Sequence, residues 1–234
     1  MKKYYSQYRQ DEFLNRVFFP HKKNGFFIDI GAHDGVKFSN SYFFELYRNW
    51  DGVCFEPNPK VFRELVENRK CRSYNTCIGD YDGYVTFCQV EGYSEMLSGI
   101  KEFYDDKHLD RISQEIKLHG GSVLEIDVPV KKIRSIPELT GKIIDFATID
   151  TEGNELSVLK SIDFEKMIIS AISIENNYND NSIKDFLFEK GYMFIIRLGS
   201  DDIYLKSDLL SASIKIRTFL WRVRKKLESI IAKY

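Results

Sequence analysis

Residues Gly25 to Gly31 read Gly-Phe-Phe-Ile-Asp-Ile-Gly, a short apolar run closed by glycine. A run too short for a helix and apolar on both alternating faces fits a strand covered from both sides, the situation of a parallel sheet layered with helices. The next fifty residues keep that rhythm. A helix is expected from about Asn40 to Tyr47, a strand over Gly52 to Glu56 stopped by Pro57, and a helix over Pro59 to Lys70 with Val61, Phe62, Leu65 and Val66 on one face. A third strand is expected over Ser73 to Ile78, completing a βαβαβ half-unit. Upstream, Phe13, Leu14, Val17 and Phe18 recur at helical spacing, so a helix over Tyr8 to Phe19 should lie against the body and stop before Pro20.

The pattern changes between about residues 84 and 130, where Tyr84 to Cys88 and Leu124 to Val128 alternate like antiparallel strands around a helical stretch at Ile112 to Leu118. This reads as an insertion. Strand-like runs resume at Ile143 to Ile149, Ile168 to Ile174, Met193 to Leu198 and Asp202 to Leu205, with helices at Glu155 to Ser161 and Ser182 to Lys190. Only Gly199, Ser200 and Asp201 separate the last two strands, too few for a crossover helix, so they should pair antiparallel. The expected fold is therefore α/β, of the class I methyltransferase (Rossmann-like) type: a mostly parallel seven-stranded sheet with an antiparallel terminal hairpin. The expected division is an N-terminal helical lid segment over 1–24, the main domain over 25–208 and a tail over 209–234.

Composition limits what such a domain can do. With 34 basic and 35 acidic residues the net charge is only -1, so no field of one sign surrounds the molecule and general nucleic-acid binding is disfavoured, DNA included. The four cysteines fit neither a zinc ribbon nor a redox pair and read as reduced, mostly buried thiols. The opening is polar and aromatic and no run approaches 18 apolar residues, so the expectation is a cytoplasmic chain without signal peptide or membrane span.

The first strand ends in Asp29-Ile-Gly31-Ala32-His33-Asp34-Gly35, with glycines spaced as GxxxG rather than the GxGxxG of dinucleotide binders. Such a turn lets backbone N–H groups approach a ligand. Asp29 before it would repel a pyrophosphate but suits an ammonium group, and S-adenosylmethionine carries an ammonium and a sulfonium. Glu56, at the end of the second strand, stands where a carboxylate can accept both ribose hydroxyls, with Pro57 beside it. The alternative, a plain glycine turn and an exposed carboxylate, requires two coincidences.

The strings YSQYRQDEFL, FFIDIGAHDGVKFSNSYFFE, GVCFEPNPKVFREL, IDFATIDTEGNELSVLKSIDF and ISIENN, in this order, resemble the FkbM family of S-adenosylmethionine-dependent methyltransferases. The likeness covers most of residues 4 to 205. It implies transfer of a methyl group to a hydroxyl oxygen, commonly on a sugar or polyketide. It also favours reading the cluster of Ser6, Gln7, Gln10 and Asp11 as part of a lid over the cofactor, against an N-cap on an amphipathic helix. Arg9 stands where the family's opening motif more often has glycine.

In open α/β sheets the chemistry lies beyond the carboxyl ends of the strands. Asp150 ends the fourth strand, and Glu175 and Asn176 end the fifth. These three resemble the set that holds a metal in catechol-type O-methyltransferases, so Mg²⁺ on Asp150, Glu175 and Asn176 is one reading, with Asp150, Glu175 or His33 as proton acceptor. The other reading has Asp150 and Glu152 capping the helix near Glu155. The function expected is O-methylation of a glycan or glycan precursor. A non-catalytic glycan- or membrane-binding module and an RNA methyltransferase are the alternatives.

Residues 211 to 234 hold seven basic groups against Glu228 alone, +6, leaving -7 on the rest of the chain. Ile216, Phe219, Leu220, Val223, Leu227, Ile230 and Ile231 form an apolar stripe at helical spacing, with Trp221 at its edge. Peripheral contact with an anionic membrane and packing on protein both fit this pattern.

Overall fold

The computed structural model describes residues 2–177 and 179–231. Lys233, counted with the basic tail, lies outside them. Seven strands form the main sheet: β1 (Phe26–Ile30), β2 (Asp51–Phe55), β3 (Arg72–Tyr74), β8 (Ile143–Ile149), β9 (Ile168–Glu175), β10 (Tyr192–Leu198) and β11 (Asp201–Lys206). Their order is β10-β11-β9-β8-β1-β2-β3. β3, β2, β1, β8 and β9 run parallel, and β11 pairs antiparallel with both β9 and β10, as the three-residue connection predicts. From β1 the chain winds outward to β2 and β3, then returns to β8 on the other side of β1. The strand order therefore reverses between β1 and β8, where open α/β sheets leave a crevice at the strand ends.

Helices cover both faces. On one side, α5 (Glu155–Ser161) and α6 (Asn181–Glu189) bury Val158, Leu159, Ile183 and Leu187 against the inward side chains of β1, β8 and β9. On the other, α1 (Gln10–Phe13), α2 (Tyr42–Arg48), α3 (Pro59–Asn68) and α7 (Ala212–Ile231) contribute Phe13, Phe43, Phe44, Leu65, Ile214 and Trp221. α3 begins as its sequence dictates: Asn58 caps it, accepting the Lys60 N–H at 3.1 Å, and Pro59 takes the first helical position, where no donor is needed. The N-terminal helix is real but divided, because after one α turn the chain opens into a π turn at Leu14–Phe18 that still buries Leu14, Val17 and Phe18.

The expected third strand is two strands on different sheets. β3 stays on the main sheet, while β4 (Cys77–Ile78) pairs with β7 (Ser122–Lys131). Side chains make the transfer: Asn75 donates to the Glu56 and Pro57 carbonyls, and Thr76 Oγ1 donates to the Pro129 carbonyl. The insertion is a second sheet, β4-β7-β5-β6, built on the long hairpin of β5 (Gly83–Glu91) and β7 with β6 (Gly99–Ile100) at its edge. Its helix α4 (Asp106–His119) starts earlier than the apolar pattern suggests, because Asp105 caps it by accepting the His108 N–H at 2.8 Å.

Candidate active site

At the reversal point the two central strands interlock through one glycine. The Asp150 N–H donates to the Ile30 carbonyl at 2.9 Å, and Gly31 and Ala32 both donate to the Phe55 carbonyl at 3.0 Å. Gly31 has φ +84°, and a Cβ there would stand 1.7 Å from the Asp150 carbonyl oxygen. No side chain fits. The turn that follows opens onto a cleft of about 260 Å³, walled by Gly31, Ala32, His33, Glu56, Asp150 and Glu175 among others.

Glu56 sits on that wall, nearly buried. Its Oε2 accepts the His33 N–H at 2.9 Å and its Oε1 the Asn58 N–H at 2.8 Å. Burial pushes its carboxyl up to about 7, against the pull of those two donors and of the His33 ring. His33 has a left-handed backbone (φ 48°), and its ring lies between Asp34 and Glu95, at 3.8 and 3.5 Å, with no hydrogen-bond partner among the described residues. Burial would lower its basicity, but Asp34, Glu56 and Glu95 outweigh that and raise it.

Several residues expected to meet a ligand are occupied inside the protein instead. Asp29 also lines the cleft, but its Oδ2 accepts from Ser41 Oγ and lies 3.8 Å from the guanidinium of Arg69, so its charge has an internal counter-ion. Arg69, fully buried, also donates to Glu45 at 2.7 Å, to the Gly35 carbonyl at 3.0 Å and to Ser41 at 2.9 Å. Asp34 Oδ1 accepts the Val36 and Lys37 N–H groups, and its carboxyl is lowered to about 2, because despite burial His33 and those donors favour the ionised form. Asp34 and Gly35 shape the turn and are not on the cleft wall. Ser6 is also off the wall: its hydroxyl donates to Asp11 and accepts the Asp11 N–H, a local ring rather than an N-cap, since Arg9 holds the cap position. Gln7 and Gln10 do line the cleft. Arg9 beside them is left-handed (φ 68°), the conformation glycine adopts freely, and its guanidinium pairs with Glu12 and Glu228.

The opposite end of the cleft is acidic. Oxygens of Asp150, Glu152 and Glu175 lie within 4.8 Å of one another. Desolvation at the cleft floor comes first, then mutual repulsion, and together they hold Asp150 and Glu175 well above the carboxylate range and raise Glu152 to about 8. Asn176 does not join them. Its amide donates to Asp202 at 2.9 Å and to the Asp180 carbonyl, and its oxygen accepts the Asp180 N–H, so Glu152 takes the third place in the cluster. Neither Asp150 nor Glu152 caps α5. Glu155 does the local work, its Oε1 accepting from Thr151 N, Thr151 Oγ1 and Gly153 N at 3.0 to 3.1 Å. Glu152 is left-handed (φ 56°), and its buried Oε2 has no hydrogen-bond partner among the described residues, with His108 Nδ1 at 3.7 Å and Arg111 at 4.0 Å.

The insertion closes the cleft with Glu95 to Ile100 and Arg111, which carry no local signal in the sequence. Asn40 and Asn154 are equally unannounced. Both are buried on the cleft wall, with side-chain oxygens that have no hydrogen-bond partner among the described residues.

A reversed α/β sheet with β11 antiparallel, a glycine turn at the switch point and an acidic residue closing the second strand define the class I methyltransferase architecture. The family model "Methyltransferase FkbM domain" matches residues 29–199, and the chain belongs to that family. Among solved structures it is similar to methyltransferase FkbM from Methylobacillus flagellatus KT, at 13% identity and a TM-score of 0.49 over 82% of this chain and 47% of that one. The chain thus spans about half the length of that relative. It is also similar to precorrin-6y C5,15-methyltransferase from Geobacter metallireducens GS-15, at 14% identity and a TM-score of 0.44 over 84% of this chain and 87% of that one. No curated protein matches.

Proposed function

We propose that the protein transfers a methyl group from S-adenosylmethionine to a hydroxyl oxygen of a glycan or glycan precursor. The observation that carries this reading is the single cleft shared by Glu56, which suits a ribose, and the Asp150–Glu175 pair, which suits a proton in transit. Methyl transfer from a sulfonium is an in-line displacement, so the chain must hold donor and acceptor in line and take the hydroxyl proton. Gly31 and Ala32 fix the turn beside the cofactor by donating to the Phe55 carbonyl, Glu56 accepts the ribose hydroxyls, and Asn40 and Asn154 line the same cleft. Asp150, its basicity raised by desolvation and by its acidic neighbours, takes the proton. The three carboxylates are also a hard oxygen set of the kind that holds Mg²⁺, which would acidify a hydroxyl bound to it. A labelled methyl group followed from S-adenosylmethionine onto neutral oligosaccharides and lipid-linked glycans tests the reading. Label on a sugar oxygen supports it, and label only on RNA refutes it.

The ribose contact has a pH signature. Glu56 must be ionised to accept two hydroxyls, and its carboxyl titrates near 7. Affinity for 5′-methylthioadenosine, which carries the ribose without the amino-acid end, should weaken about tenfold from pH 8 to pH 6. Glu56→Gln should bind weakly with a flat profile, and a flat profile in the wild type would contradict the assignment. The fold responds in the other direction. A carboxyl raised from 4.5 to about 7 costs stability as pH rises through 7, and that cost is absent below 4.5.

A further inference from the structure

The C-terminal helix α7 has two faces that the sequence pattern alone could not orient. Ile214, Thr218 and Trp221 are buried, with Trp221 edge-on to Phe13 at 5.4 Å. Cations fasten the same side: Arg217 donates to the Val17 carbonyl at 2.8 Å, Arg222 to the Ile195 carbonyl at 2.7 Å, and Arg224 pairs with Glu12 at 3.2 Å. The apolar stripe faces away from the body. Ile216, Phe219, Leu220, Val223, Leu227 and Ile230 are 40 to 64% exposed along one side of a twenty-residue helix, a strip about 20 Å long. Trp221, expected at the edge of that stripe, is instead the anchor on the opposite side.

We propose that this face lies on the surface of an anionic lipid bilayer, parallel to it. An apolar strip of this length in water needs a cover, and the charges beside it select which. Lys215, Arg222 and Lys226 are exposed along one border. The helix's single acid, Glu228, is engaged by Arg9, Arg224 and Lys225. A second copy docked by the same face would set cation against cation, with no acid on the border to answer it. A bilayer bearing acidic headgroups supplies both an apolar interior for the strip and the negative charge for its border. Among the described residues no helix is long and apolar enough to cross a membrane, so α7 rests on the bilayer rather than spanning it.

Removing the tail would not test this, because Ile214 and Trp221 belong to the core and their loss would lower stability whatever covers the opposite face. Exposed positions serve better. The full chain should float with phosphatidylcholine vesicles containing about 30% phosphatidylglycerol, and about tenfold less with pure phosphatidylcholine. About 0.5 M salt should release it. Phe219→Glu/Leu227→Glu should stay at the bottom of the gradient with an unchanged melting temperature, and Lys215→Glu/Lys226→Glu should bind at least about thirtyfold more weakly. Absence of the wild type from the floated fraction, or flotation of Phe219→Glu/Leu227→Glu at the wild-type level, would overturn the proposal. So would a concentration-dependent dimer that Phe219→Glu dissolves while the wild type ignores vesicles, which would assign the face to a second copy.

Discussion

Arg69→Met should destabilise the protein by about 3–5 kcal/mol, one of the largest losses available from a single substitution outside the apolar core. Arg69 has no exposed side-chain surface and stands between two buried carboxylates, Glu45 at 2.7 Å and Asp29 at 3.8 Å. Its guanidinium also lies over the Phe27 and Tyr42 rings, at 5.2 and 5.4 Å. Methionine keeps much of the volume and removes the charge, so both carboxylates remain buried without a counter-ion. Because burial already raises the Asp29 carboxyl, its protonation relieves part of the cost, and the loss measured by urea denaturation should shrink between pH 7 and pH 5. Arg69→Lys should recover only part of it, since an ammonium cannot reach Glu45, Ser41 and the Gly35 carbonyl together. A loss below about 1 kcal/mol would show that the pair contributes no more than a surface bridge.

Asp150→Asn should lower the rate of methyl transfer by about 10²- to 10⁴-fold, the range for losing a positioned general base. Affinity for S-adenosylmethionine should change little, because the ribose contact is made at the other end of the cleft. Stability should move the opposite way. Desolvation first, and then the nearby Glu175, Asp201 and Glu155, hold the Asp150 carboxyl well above the usual range, so ionising it in the folded protein carries a cost. Asparagine removes it, and the melting temperature should rise as activity falls. Exhaustive chelation separates the two roles of the cluster. Activity lost to chelator and restored by Mg²⁺ assigns Asp150, Glu152 and Glu175 to a metal, and full activity after chelation leaves Asp150 as the base.

Much of this architecture is legible in the chain because apolar runs are cut by residues with backbone consequences. Gly31 stops β1, Pro57 follows β2, and the short 199–201 connection forces the antiparallel hairpin. The break between β3 and β4 was not legible, because Tyr74 to Ile78 keeps a strand-like pattern and the change of sheet depends on what Asn75 and Thr76 meet across the fold. The candidate site divides along the same line. Gly31, Glu56, Asp150 and Glu175 announce themselves by their positions at strand ends. Ser6, Asp34 and Asn176 have suitable chemistry nearby in sequence, yet Ser6 and Asp34 bond within their own loops and Asn176 bonds to Asp180 and across to Asp202 on β11. Arg69 sits in the charged run Asn68-Arg-Lys-Cys-Arg, which reads as solvated surface, and nothing local tells that one of its cations faces inward. His108 and Arg111 approach Glu152 only because the insertion folds back over the sheet. For α7 the period of the stripe was visible, but which side the body covers depended on Phe13 and Ile195, which are far apart in the chain and become neighbours of the same helix only after folding.

The most direct test is calorimetric titration of S-adenosylmethionine at pH 8 into the wild type and Glu56→Ala, each checked for an intact fold. The wild type should bind one equivalent. The variant should bind about thirtyfold more weakly, the loss of roughly 2 kcal/mol expected when a carboxylate that accepts two hydroxyls is removed. No binding by the folded wild type at millimolar concentration, or equal affinity in the two proteins, would contradict a methyl donor seated on Glu56 at the reversal of the sheet.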